Sequence, residues 1–415
     1  MAGLYDSVRK YNRLDAAWRR VRDNGRLSKS KDTQKLIARF AENQHRNLSR
    51  IVRQLAEHRF QFLPQTGIAK KRGKKKPRPL VVAPLENRIV QRAILDALQD
   101  DVPAVRHVLD TPTSIGGIPG RGTRHAIALV TAAIKDGARY FIRSDIEGFF
   151  TKIPRQQAIN FLADHVADGR FIDLFTHAIE TQLENIEQLA EHRDLFPIGE
   201  DGVAQGSALS PLLGNIVLRD FDKNLNGRGI LCVRYIDDFI LLGKDEVQVK
   251  KAFESAQKLL SALRMHAYAP WENSDKAQGG PTSESIDFLG CTISGGLVQP
   301  SKDARAELLN RVDSVLTDGK HAIRNALAKP TGKLTSQRYI QTHTRLDRIL
   351  MGWSHAFSFC TGMQVFASMD KDIDKRLTEF RRFATGQEKA RGPGAWRRIV
   401  GVHRLRDTPR LSLIE

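Results

Sequence analysis

The stretch "RYIDDFILL", residues 234–242, decides the fold. Within "ILCVRYIDDFILLG" it reads as a strand, a tight turn and a second strand, with apolar runs flanking two adjacent aspartates, Asp237 and Asp238. Two carboxylates side by side in a half-buried hairpin repel each other and are costly to desolvate. One explanation is a solvated turn, because aspartate is common in turns. The other is a divalent cation, since Mg²⁺ takes oxygen ligands, usually one or two carboxylates plus substrate phosphates. A second acidic position lies upstream: Asp145 ends "YFIRSD", where a buried strand leaves the core. If the two strands are neighbours, Asp145 and Asp237 meet. Two metal ions about 3.5–4 Å apart are the usual device for in-line phosphoryl transfer, one activating the attacking hydroxyl and the other stabilising the leaving oxygen.

The bulk of the chain agrees with such chemistry. Its 415 residues suggest two to four domains or subdomains, and 41% apolar content supports a packed core. Lys and Arg number 66 against 47 Asp and Glu, a net charge of +19. A polyanion is the simplest partner for so basic a chain, and nucleic acid is the default. Anionic membrane is the weaker reading, because the basic residues are spread along the whole length. No apolar run approaches the roughly 18 residues of a membrane span, so no membrane partner is expected. The start, "MAGLYDSVRKYNRLD", lacks a signal-peptide core. Cys232, Cys291 and Cys360 are far apart and build neither a disulfide framework nor a zinc site. The expectation is a soluble protein of the cytoplasm, in a reducing compartment.

Along the chain, "NRLDAAWRRVRDNG" and "NLSRIVRQLAEHRF" have helical apolar spacing, with Gly25 as a stop. "KKRGKKKPR" puts seven basic residues among the nine from Lys70 to Arg78. A strand, "PLVVAP", and a helix, "NRIVQRAILDALQD", follow. Residues 111–124, "TPTSIGGIPGRGTR", form a loop rich in Gly and Pro. A helix near 123–135 precedes the Asp145 strand, and helices fill roughly 154–190. "EDGVAQGSALSPLLGNIVL" is a loop entering a helix. A helix over about 245–264 carries Val249, Phe253, Ala256, Leu260 and Leu263 on one face. "SIDFLGCTISGGLV" predicts a hairpin with a Gly-Gly turn. From Ser301, a good N-cap, the chain reads as helical to about 386, then as a short basic tail. Strands alternate with helices only in the middle third, so the class is α+β with helical ends.

Four motifs occur in one order: "SDIEGFF", "QGSALSPLLGN", "YIDD" and "FLG" at 288–290. They resemble the palm of reverse transcriptases, within the group II intron-like prokaryotic branch. "NRLDAAWRRVRDNG" resembles that branch's N-terminal extension, "KPRPLVVAPLENRIVQRAIL" its fingers and "GWSHAFSF" its thumb. The resemblance implies a right-hand polymerase: a helical N-terminal extension over 1–66, fingers over 67–140, a palm over 141–300, a helical thumb over 301–386 and a basic tail over 387–415. It implies an RNA-directed DNA polymerase that uses dNTPs and two Mg²⁺ ions, with Mn²⁺ as a substitute.

It also implies residue roles. Asp145 and Asp237 bind both metals, Asp238 assists at the primer end, and the Ile146 carbonyl completes one metal's shell. Phe150 is a steric gate against the ribose 2′-hydroxyl, while Phe149 is core. Gln205 and Gly206 border the nucleotide, glycine permitting close backbone approach. Arg78 holds the triphosphate with help from Lys70 or Lys71. Lys276 protonates the leaving pyrophosphate. Arg121, in "GGIPGRG", contacts template phosphate; that loop lacks the strand–helix context of a dinucleotide fold. Most of Lys74 to Lys76 reads as a solvated basic run. No cysteine pairs exist for a zinc-ligand endonuclease domain, and the retron Asn-Ala-x-x-His and Val-Thr-Gly patterns are absent. What remains resembles the defence-associated reverse transcriptases, the type 2 class among them, which copy a structured non-coding RNA into DNA. The alternative is an intron-type maturase or retron-like protein acting mainly by binding RNA.

Overall fold

Four helices open the chain: α1 (Leu4–Val8), α2 (Tyr11–Arg26), α3 (Lys31–Glu42) and α4 (Gln44–Ala56). The computed structural model describes residues 3–28, 30–72, 75–272, 274–328, 338–402 and 405. Leu14, Ala17, Trp18 and Val21 line the buried face of α2 and meet Ile37 and Phe40 of α3. Helix α2 ends at Arg26, one residue past the expected stop at Gly25. A Cβ on Gly25 would lie 2.7 Å from the Ile37 side chain, so this glycine also serves close helix packing.

The basic run is not a featureless surface segment. It is built into an antiparallel hairpin of β1 (Thr66–Arg72) and β2 (Lys75–Val82). Sequence reading finds only the "PLVV" half of this hairpin, because lysines obscure the strand alternation in "TGIAKKR". Helices α5 (Leu85–Asp101), α6 (Pro103–Leu109) and α7 (Thr123–Lys135) follow. Next come β3 (Tyr140–Asp145), α8 (Phe149–Lys152), α9 (Arg155–Ala163) and α10 (Gly169–Ile179). Beyond α10 the chain is irregular, with a 3-10 turn over Glu187–Leu195, up to α11 (Ser210–Val217) and α12 (Arg219–Leu225). The hairpin that carries the adjacent aspartates is β4 (Leu231–Tyr235) and β5 (Asp238–Gly243). Helix α13 (Glu246–Ala262) is capped by the Asp245 side chain and buries Val249, Phe253, Ala256 and Leu260 as expected. Strand β6 (Gln278–Pro281) completes a four-stranded sheet of order β4-β5-β3-β6.

The chain divides into two units, Met1–Pro281 and Thr282–Glu415. In the first, one continuous apolar core joins the N-terminal helices, α5, α9 to α13 and the sheet. The second begins with a three-stranded antiparallel sheet of β7 (Ile286–Phe288), β8 (Cys291–Ser294) and β9 (Leu297–Pro300). Gly295 and Gly296 turn β8 into β9 with φ of +55° and +76°, the values that make glycine necessary. This sheet lies within the stretch expected as palm, yet it groups with the helices that follow. Those are α14 (Lys302–Ala328), capped by Ser301, then α15 (Tyr339–Ala356), α16 (Met363–Arg391) and α17 (Trp396–Val400). They share a separate core around Leu316, Leu346, Phe380 and Ile399. The expected basic tail falls partly on α16 and α17, and its last part, 406–415, lies outside the described residues, as does Lys74. No helix among the described residues is long and apolar enough to cross a membrane. The fold class is therefore α+β, with helical ends.

Candidate active site

Register, not sequence proximity, assembles the acidic site. Strands β3 and β5 are antiparallel neighbours, and Asp145 stands directly opposite Asp238. Directly opposed residues on such a pair have Cβ atoms about 4.5–5.5 Å apart, and like charges there are destabilising. Asp237 lies in the two-residue turn between β4 and β5, since Tyr235 pairs with Asp238. Its carbonyl accepts from the Ile146 amide at 3.0 Å, which ties the turn to the end of β3. On the other side of β3, the Asp145 carbonyl accepts from the Tyr268 amide at 3.2 Å, and Ser144 Oγ donates to the Tyr268 carbonyl at 2.6 Å. The three aspartates thus sit on backbone that is pinned from two sides.

Electrostatics show the cost. Burial pushes the Asp237 carboxyl up to about 6, with the Asp145 charge adding to the effect and Lys276 and Arg78 opposing it. Burial likewise pushes Asp238 up to about 7, with Asp237 and Asp145 raising it further. Lys276 forms an ion pair with Asp145. Burial pulls this ammonium down, but its bond to Asp145 and the Asp145 and Asp238 charges outweigh that and hold it above the ordinary lysine value. So Lys276, reached in sequence through a loose local match, stands in the site itself.

No group of three or more His, Cys, Asp or Glu side chains is arranged as a metal-binding cluster among the described residues. The oxygen donors on offer are the carboxylates of Asp145 and Asp237, close enough for each charge to act on the other. Hard oxygen donors in that number fit a cation that takes few protein ligands and completes its shell from phosphates and water. The repulsion among the three carboxylates is the property such a cation relieves.

The residues expected beside the nucleotide lie on the β1–β2 hairpin and the Gln-Gly loop, which are in contact. Lys70 and Arg78 are cross-strand partners, both exposed. Opposed like charges of this kind favour an anion between them. Arg78 Nε donates to Gln205 Oε1 at 3.2 Å, and the Val81 amide donates to the Gln205 carbonyl at 2.9 Å. Gly206 has φ of +127°, and a Cβ there would come 2.7 Å from the Val81 carbonyl oxygen, so only glycine lets the loop lie this close to β2. Phe149 is buried against Gly214, while Phe150 is half-buried and meets Phe149 edge-on at 5.4 Å. Lys71 is exposed on β1. Arg121 is tied to its own loop: its guanidinium donates to the Thr111 carbonyl and, at 2.7 Å, to the Ser114 carbonyl. The loop itself runs along β4, with Ser114 bridged to Arg234.

Sequence reading passes over Arg234 and Asp222, which are buried and joined by a two-point ion pair behind the acidic turn. An arginine in "CVRY" is compatible with either face of a strand, and its acidic partner lies twelve residues back on another element, so no local signal exposes the pair.

Comparison with known proteins agrees with this geometry. A family profile described as reverse transcriptase (RNA-dependent DNA polymerase) matches residues 68–293, more than half of the chain. The chain is 27% identical over 278 residues to protein YkfC of Escherichia coli (strain K12), covering 57% of this chain and 68% of that protein. It is 30% identical over 176 residues to an uncharacterized 91 kDa protein in the cob intron of Schizosaccharomyces pombe, covering 42% of this chain and 20% of that one. Against the group II intron-encoded protein LtrA of Lactococcus lactis subsp. cremoris, identity is 28% over 154 residues, 37% of this chain and 24% of LtrA. The chain thus spans about two thirds of YkfC but a quarter or less of the two intron proteins. Among solved structures, a partial Cas6-RT-Cas1–Cas2 complex aligns with 64% of this chain and 44% of that chain, at 21% identity and a TM-score of 0.36. That last likeness is too distant to carry an argument.

Proposed function

The chain belongs to the reverse transcriptase family, and from that premise we propose that it is an RNA-directed DNA polymerase whose nucleotidyl transfer is centred on Asp145, Asp237 and Asp238. The observation that carries this reading is the β3–β5 register, which sets Asp145 opposite Asp238 with Asp237 in the adjoining turn. Asp145 and Asp237, with the Ile146 carbonyl, would hold divalent cations, two Mg²⁺ ions by the family's pattern. When bound, these ions supply the charge that activates a primer hydroxyl and steadies the leaving pyrophosphate.

The chain's own groups do the rest. Lys70 and Arg78 face one another across the hairpin and clamp a triphosphate, with Lys71 adding charge. Gln205 orients Arg78, and Gly206 lets the loop close on β2 beside the incoming nucleotide. Phe150 occupies the space of a ribose 2′-hydroxyl and selects dNTPs. Lys276 stays protonated beside Asp145, which supports its role as the group that gives a proton to pyrophosphate. Arg121 shapes the loop and reaches template only through it.

A structured non-coding RNA template fits a chain whose +19 charge binds nucleic acid without reading its sequence, and the role in defence against phage is what the resemblance to defence-associated reverse transcriptases implies. LtrA is described as encoded by a group II intron, and an intron-type RNA-binding role is the second reading. RNA retained after a high-salt wash separates them. A dedicated enzyme retains one short RNA species and starts synthesis on it at a fixed position. A random mixture of cellular RNAs would overturn the dedicated template.

A further inference from the structure

Arg234, immediately before the Tyr-Ile-Asp-Asp turn, is fully buried. A buried guanidinium needs its donors satisfied one by one. Its Nε and Nη2 donate to the two carboxylate oxygens of Asp222, at 2.7 and 2.5 Å. Nη2 also donates to Ser114 Oγ at 2.8 Å. Nη1 donates to the Ile236 carbonyl at 2.9 Å. Asp222 is itself buried on α12, and Ser114 belongs to the loop that runs along β4. One side chain therefore ties a helix, a loop and the acidic turn together.

The bond to Ile236 stands out. Ile236 has φ of +63°, a left-handed conformation that a β-branched residue seldom adopts. It is the first residue of a two-residue hairpin turn, where glycine, asparagine or aspartate is the usual choice. Such a conformation persists only where the surroundings over-determine it. Here they do. Arg234 grips the Ile236 carbonyl, and Ile146 grips the next one. Gly116 packs so closely that a Cβ on it would sit 2.4 Å from the Ile236 amide nitrogen. A buried ion pair is weak evidence of stabilisation, because apolar side chains of similar volume often serve stability as well or better. A role in geometry explains its presence.

We propose that Arg234, anchored by Asp222 and Ser114, is a positioning residue that locks the left-handed Ile236 turn and so sets where Asp237 stands relative to Asp145. This inference rests on reading those aspartates as the polymerase metal ligands. The test uses the full chain, with Arg234→Lys and the paired change Arg234→Met with Asp222→Leu. The paired change removes both charges without leaving one buried alone. Primer extension on an RNA template should show kcat lowered about 100-fold, the scale of loss that a misplacement of about 1 Å produces. The KM for dNTP, RNA affinity and melting temperature should stay near wild type, and the Mg²⁺ concentration for half-maximal rate should rise. Wild-type kcat in either folded variant overturns the inference, and so does a loss of kcat that merely follows a loss of folded protein. If the paired variant does not fold, Arg234→Lys carries the test, since it keeps the charge but not the two-point fork. Asp237→Asn run alongside separates the two levels. If it still synthesises DNA, the reading of the site fails and the inference with it. If it is inactive while the Arg234 variants are fully active, only the positioning role fails.

Discussion

Burial pushes Asp237 to about 6 and Asp238 to about 7, against 3.8 for an ordinary aspartate. A carboxyl raised in this way is protonated in the folded chain, over a pH range in which the unfolded chain is already ionised. The folded state then binds more protons, so the metal-free chain loses stability as pH rises from about 4 to about 7. A divalent cation offsets that loss only where the carboxylates are ionised. Mg²⁺ should therefore raise the melting temperature at pH 8 and do so much less at pH 5.5, and Asp237→Asn should remove most of the pH 8 effect; an equal Mg²⁺ effect at both pH values would count against the site. Phe150 presents the other residue-scale choice, half-buried where Phe149 is core. Phe150→Ala should raise rNTP relative to dNTP incorporation in primer extension. Unchanged discrimination would move the gate elsewhere, with Phe149 the next candidate.

At the scale of elements, the β1–β2 hairpin and the Gln-Gly loop work as a pair, joined through Arg78 to Gln205 and through Gly206 against Val81. Removing Arg78 takes away one charge-assisted partner of a triphosphate and leaves Lys70 opposite. Arg78→Ala should raise the KM for dNTP about tenfold or more while lowering kcat less, as steady-state kinetics would read; an unchanged KM would place the triphosphate elsewhere. The strands and helices that carry this chemistry were largely legible in the chain. Helix α13 has clean 3.6-residue periodicity, and β3, β4 and β5 are largely apolar runs that adjoin acidic residues. The β1 strand was not, because lysines fill the alternation that marks a strand. Gly25 marked the end of α2 to within one residue, but its close packing on Ile37 was not legible, since a glycine that ends a helix and one that admits a neighbouring helix look alike in one dimension. The aspartates were legible as a type of site, but their register was not. That Asp145 faces Asp238 follows from strand pairing across more than ninety residues. The Arg234–Asp222 pair was hidden for the same reason: its meaning lies in a contact, not in a local pattern.

At the scale of the whole molecule, an excess of basic charge and a half-buried acidic centre divide the work. A net charge of +19 draws nucleic acid in without regard to sequence and makes binding salt-dependent. The acidic centre would repel that same backbone unless cations stand between them, so binding and chemistry respond to different ions. RNA affinity should fall steeply with monovalent salt and survive loss of the aspartates, whereas synthesis should require both. The decisive measurement is primer extension by the purified chain on an RNA template with dNTPs and Mg²⁺, comparing wild type with Asp145→Asn and Asp237→Asn at matched RNA occupancy. DNA complementary to the template from the wild type, and none from either variant, is the predicted result. Synthesis at the wild-type rate by either variant would contradict a catalytic centre built from these two strands.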